Sequence, residues 1–291
     1  TKVQSSNLNA GSGALMVGAS DAANVDTVIA TASGALGAAI GVVTNVITTD
    51  HLTGVVVTGT STDKSSLTGT SVSVDADAKE GISSLLIAAS GAQYAAVSAS
   101  VNVNRQLSDV SAAVDQTEVL GSFAQNANYL GRITTSAITA AGSQYAAVPI
   151  SVVINYADNA VSSSVAHSIL RAEGQSASVG ANRISEFSSL NVTASGAMYG
   201  AAAGLVNVNT IEGATSAEVN DSEVKAGQFS VNAENEDHLK VTDVTATGAI
   251  GSLGASVVVS YFKGSSAANL RNSIVTADKL TVSSLQDHYV N

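Results

Sequence analysis

Catalysis or metal binding needs carboxylates, imidazoles, thiolates or activated hydroxyls gathered together, and this chain offers few such gatherings. Two acidic groups stand out: Asp75, Asp77 and Glu80, then Glu234, Glu236 and Asp237. Clustered carboxylates serve the acid–base chemistry of polysaccharide lyases and hydrolases, or hold a cation. Both groups precede a recurring glycine by a similar interval, so they read as one solvated turn in two copies, with weak cation binding as the lesser reading. His51, His167, His238 and His288 share no ligand spacing and read as surface residues. The absence of Cys removes thiolate nucleophiles, thiolate metal sites and disulfides. Ser61-Thr62-Asp63-Lys64 matches Ser-x-x-Lys, but its companion Lys-Thr-Gly is missing, as are Gly-x-Ser-x-Gly and any phosphate loop. No catalytic, cofactor-binding or metal-ligating residue is assigned, and the chain is expected not to be an enzyme.

What, then, do the remaining residues build? Hydrophobic residues make up 45% of the 291 positions but aromatic ones only 4%, so any core is made of Ala, Val, Leu and Ile. Such side chains suit a thin pleated core better than a large round one. The net charge of −11 argues against nucleic acid and against electrostatic docking on anionic lipid. No apolar run reaches the roughly 18 residues of a spanning helix, and no membrane insertion by this segment is expected.

Internal repetition organises the chain. The motif Ala-Ser-Gly-Ala and its variants anchor on Gly34, Gly91, Gly142, Gly196 and Gly248, spaced 57, 51, 54 and 52 residues apart. After each anchor, positions alternate. Val97, Ala99, Val101 and Val103 read as the core side of a half-buried strand, and Ser98, Ser100 and Asn102 as the other side. The equivalent strand around Val148, Ile150, Val152 and Ile154 places Pro149 in the non-core set. Asn104, Asn155 and Asn209 recur at one offset, and Thr31, Thr139, Thr193 and Thr245 at another, which suits side-chain ladders between stacked strands. Asp115-Gln116-Thr117 and Asn220-Asp221-Ser222 read as corners between two strands. About five extra residues in the first copy are assigned to a loop between His51 and Leu67, and the fifth copy lacks one residue after Gly248.

The fold class expected is all-β, a parallel β-helix (β-solenoid) of right-handed winding, with about five imperfect repeats of about 52 residues. Residues 1–291 are expected to form one solenoid segment, a fragment of a longer protein. Each repeat is expected to cover two or three coils, giving about eleven coils and a rod on the order of 50 Å at ~4.8 Å per coil. A single repeat should not fold alone, because its few aliphatic contacts fall short of its ordering entropy. Tyr94, Tyr145 and Tyr199, each three residues past an anchor, are packing filler or an exposed row for partner contact.

The units Ala-Ser-Gly-Ala-x-Tyr, Val-Asn-Val-Asn (101–104 and 206–209) and Ala-Glu-Val-Asn-Asp-Ser-Glu-Val-Lys-Ala (217–226) resemble repeats of the large filamentous haemagglutinin-like and leukotoxin-like exoproteins of Gram-negative bacteria. The resemblance implies a secreted or cell-surface location and a structural, adhesive stalk contacting a host-cell or matrix protein or glycan. It carries no catalytic residues over. A cytotoxin segment that engages host cells is the alternative, with Leu85-Leu86-Ile87 and Val55-Val56-Val57 as candidate apolar patches. A polysaccharide-active β-helix enzyme ranks last.

Overall fold

The computed structural model describes residues 1–291 and contains no helix. Its strands are β1 (Lys2–Gln4), β2 (Asn7–Asn9), β3 (Ala14–Ala35), β4 (Ala38–Thr58), β5 (Ser65–Ala92), β6 (Ala95–Asp115) and β7 (Thr117–Ser143). They continue as β8 (Ala146–Ala166), β9 (Ile169–Gly196), β10 (Gly200–Asn220), β11 (Glu223–Gly248), β12 (Gly251–Arg271) and β13 (Ile274–Val290). Successive strands alternate between two sheets. Sheet I has the order β1-β4-β6-β8-β10-β12; sheet II has β13-β11-β9-β7-β5-β2, with β3 also on β5. All pairs are parallel, so the chain winds as a two-sided parallel β-helix.

The repeat and the coil coincide. Gly34, Gly91, Gly142, Gly196 and Gly248 stand in one column of sheet II, each paired with the next. One repeat therefore makes one coil, and the expectation of two or three coils per repeat is wrong. The reason is strand length: 21 to 28 residues in the full rungs, against a usual five or six. At ~3.3 Å per residue a 21-residue rung is about 70 Å long, while five coils stack to only about 25 Å. The molecule is a broad thin slab instead of a slender rod.

Two kinds of corner close each coil. At one, a residue with positive φ recurs as Gln116, His167, Asp221 and Asn272, followed by Thr117, Ser168, Ser222 and Ser273. These hydroxyls form a ladder: the Thr117 N–H donates to Ser168 Oγ at 3.1 Å, and the N–H groups of Ser168 and Ser222 donate to the next serine likewise. Each hydroxyl in turn donates to the carbonyl two residues back. Turning residues and ladder together fix the corner predicted at 115–117 and 220–222. The extra residues of the first copy sit at this corner, between β4 and β5, and the missing residue after Gly248 is absorbed as Gly200 pairs with Gly251. At the opposite corner the chain turns through Gln93-Tyr94, Gln144-Tyr145 and Met198-Tyr199.

Burial reverses the expected strand faces near the tyrosine corner. Ser98, Ser100, Asn102 and Asn104 are fully buried, and Val97, Ala99, Val101 and Val103 point outward and are half-exposed. Pro149 is likewise inward and buried, and the β8–β10 pairing skips its position, where no N–H is available. In the half of the slab next to the Asp-Gln-Thr corner the usual rule holds. There a 29-residue cluster including Val114, Val119, Phe123, Val165, Leu170, Val219, Val224 and Phe229 fills the interior. Each coil thus has a half with a continuous apolar core and a half whose interior interleaves polar columns with small apolar clusters, the largest of them built around Ile82, Ile133, Phe187 and Ile211.

Candidate functional surface at the tyrosine edge

Charge marks the boundary between the halves. Stretches 27–49, 81–104, 133–157, 187–211 and 244–262 contain no Asp, Glu, Lys, Arg or His. Each begins on a strand of sheet II, rounds the tyrosine corner and ends on sheet I. Stacked in register, they make one long edge of the slab free of charge on both sides. The sequence carried this signal in full view; anchoring on glycines and apolar alternation passed over it.

The outward columns of this edge are aliphatic on both sheets. On sheet I they include Thr44, Val101, Val152, Val206 and Val257, and two residues further Val46, Val103, Ile154, Val208 and Val259. On sheet II they include Ala30, Ile87, Ile138, Val192 and Val244, flanked by a column holding Leu85 and Leu190 and one of pure alanine, Ala32, Ala89, Ala140, Ala194 and Ala246. In the inner coils Ile138, Ile150, Leu190 and Val206 remain 38%, 43%, 42% and 37% exposed, where aliphatic side chains are ordinarily covered. Tyr94, Tyr145 and Tyr199 stack along the edge itself, with ring centroids 5.5 and 5.3 Å apart and about half their surface exposed. They are therefore a surface row. Of the two apolar runs singled out earlier, Leu85 and Ile87 belong to this surface, whereas Val55 and Val57 are buried in the opposite half.

Inside the same edge lie polar ladders. Asn104 donates to Asn155 and Asn155 to Asn209, each at 2.9 Å, and Asn45 donates to Asn102 at 3.2 Å. The ladder predicted for the Asn column is present, and facing hydroxyls join it: Asn104 donates to Thr135 Oγ1 at 2.9 Å, and Ser100 and Thr139 lie 2.7 Å apart. Packing alone would select Val or Leu at these inward sites. Amides and hydroxyls instead fix the register through specific bonds, which a slippery alternation of small residues needs.

At the seam between the halves sit the ionic groups of the interior. Arg183, fully buried, donates to Asp237 Oδ1 at 2.8 Å, Asn235 Oδ1 at 2.9 Å, Ser185 Oγ at 3.1 Å and the Glu212 carbonyl at 3.0 Å. Burial pushes the guanidinium below its ordinary pKa and Asp237 above its own, so desolvation outweighs the attraction within the pair. Ser108 Oγ donates to Glu80 Oε1 at 2.5 Å, yet burial still holds Glu80 above the usual carboxylate range, and burial together with Glu80 raises the Tyr129 phenol well above its usual value. The interior column running Glu80, Gly131, Ser185, Asp237 separates the two carboxylates by three rungs, about 14 Å.

These positions correct the reading of the acidic groups. Asp75, Asp77, Glu234 and Glu236 lie mid-strand on the outer face, not in a turn, and Asn126 and Asn128 donate to Asp75 and Asp77 across the rung at 2.9 and 2.8 Å. Glu80 and Asp237 are buried, not solvated. The histidines are partly exposed, each beside a carboxylate: His51 with Asp21, His167 with Asp115, His238 with Glu236 and His288 with Asp237. No group of three or more His, Cys, Asp or Glu is placed to hold a metal ion. Ser61 to Lys64 occupy an exposed loop remote from Glu80 and Asp237. No protein-family model, curated protein or solved structure matches the chain.

Proposed function

We propose that this chain is a structural and adhesive segment of a secreted or surface-displayed bacterial exoprotein, attaching to a host-cell or matrix protein or glycan. The observation that supports it is repetition in register. Every coil offers the same outward aliphatic columns and the three inner corners the same outward Tyr, one rung from the next, so contacts too weak to hold singly act together. No catalytic step belongs to this reading: its ionic groups are dispersed along the slab or locked in the seam. The test is binding of the purified chain to immobilised matrix proteins, glycans and cultured cells. Saturable binding that weakens on Tyr145→Ser supports adhesion; no binding at tens of micromolar protein reduces the segment to a spacer. A second reading, a cytotoxin segment engaging host cells, draws on the two-sided apolar edge, and release of a dye from intact cells tests it.

A further inference from the structure

We infer that the charge-free tyrosine edge embeds in the hydrocarbon of a lipid bilayer, an assignment that rests on this surface alone and not on the adhesive reading. No helix here is long and apolar enough to cross a membrane. Strands enter lipid by another pattern, with apolar side chains outward, polar ones inward and aromatic residues at the margins. The tyrosine half has that pattern.

Its dimensions fit as well. On sheet I the aliphatic columns run from that of Val97 to that of Val103, seven residues or about 20 Å, and side-chain reach extends this to the ~25 Å apolar band of strand-built membrane proteins. Tyr94, Tyr145 and Tyr199 bound the band at the edge. Tyr156 and Tyr261, on the same outward column as Arg105, bound it on the other side. Interfacial tyrosines occupy such paired margins because their rings sit at headgroup level.

The occupant follows from the apolar surface lying on two faces and the edge between them. A second copy packed on sheet I would cover one face and leave Ile87, Ile138 and Leu190 of sheet II bare. A fluid apolar phase surrounds both faces and the edge together. With no charge in the edge, attraction to anionic headgroups has no part, and uptake should be indifferent to salt. Backbone groups within the inner coils are paired inside the sheets, as hydrocarbon requires; the open rows of the end strands set the cost of entry. The expectation of no insertion came from counting consecutive apolar residues, a measure blind to alternation.

The experiment is flotation of the whole chain with neutral phosphatidylcholine vesicles at low and high salt. The wild type should float equally at both. Val101→Asp with Val206→Asp, two outward sites on non-adjacent rungs, should lower partitioning at least about tenfold. Ser111→Asp with Ser216→Asp, outward sites in the other half, should leave it unchanged. Circular dichroism checks that each variant keeps its β signal. In case the variants misfold, tyrosine fluorescence of the wild type should be quenched by lipids brominated on the first acyl carbons below the headgroup, the depth at which interfacial rings sit. Wild type that stays with the aqueous fraction overturns the proposal, as does wild type whose tyrosines are not quenched. A chain that sediments as a dimer dispersed by the same aspartates, without floating, shows that a second copy covers the face instead.

Discussion

The corner half and the tyrosine half of each coil are made from the same strands, one running directly into the other, and both alternate strictly. Within a strand such as β6 or β8 the same parity points inward in both halves; what differs is the chemistry it carries. Next to the Asp-Gln-Thr corner the inward residues are chiefly Val, Ala, Leu and Phe and the outward ones Ser, Asn, Asp and Lys. Beyond the seam the inward residues interleave Ser, Thr and Asn with small apolar clusters such as Ile82, Ile133, Phe187 and Ile211, and the outward ones on sheet I are Val, Ile and Ala. Between the halves, Arg183, Asp237, Glu80 and Tyr129 occupy inward positions that neither apolar packing nor amide ladders would fill. Alternation by itself says only that a strand has two faces. What lies against each face decides which side is the core.

The comparison can be broken most forcefully at the seam. Arg183→Ala takes the guanidinium from buried Asp237, leaving only the partly exposed His288 beside it, and should cost about 3–5 kcal/mol in denaturant unfolding, while Arg183→Met with Asp237→Leu should be neutral or stabilising. The halves themselves are separated by paired truncations of leucine. Leu170→Ala in the corner half should cost about 2–5 kcal/mol, whereas Leu190→Ala on the exposed face of the other half should cost below about 1 kcal/mol. Equal losses would show that both faces of the tyrosine half are core. Within that half, Asn155→Ala removes the middle of the amide ladder and should cost about 1–3 kcal/mol through the unmet groups of Asn104 and Asn209. The smallest effect is a pH dependence. Because Glu80 is held above its unfolded value near 4.5, the folded chain binds its proton more tightly; stability should rise as pH falls through the raised value and level off below 4.5. Glu80→Gln should remove that contribution and stabilise the protein at neutral pH. An unchanged pH profile of unfolding in the variant would falsify the assignment.

Much of the fold was legible because ladders leave identical residues at fixed offsets. Gly34 through Gly248, the Asn column, the Thr column and the corner at 115–117 all fall where their spacing places them. Coil count was not legible, since nothing in 81–104 or 187–211 announces that strands extend so far past their usual length. The facing of Val97 to Val103 was misread for a simpler reason: aliphatic residues are assumed to be inside, and Ser98, Ser100, Asn102 and Asn104 give no sign of burial until the opposite sheet supplies Ser84, Thr135 and Thr139 as partners. The candidate surface could have been found from charge alone, because each uncharged stretch contains an anchor glycine and the corner that follows it.

The coincidence of repeat and coil has an evolutionary corollary. Since Ala146 and Gly200 share a column, a tandem duplication of 146–199 rejoins the chain with both junctions already matched. Copy number can then drift by unequal recombination, each event thickening the slab by about 4.8 Å and adding one tyrosine to the row, with no new interface to invent.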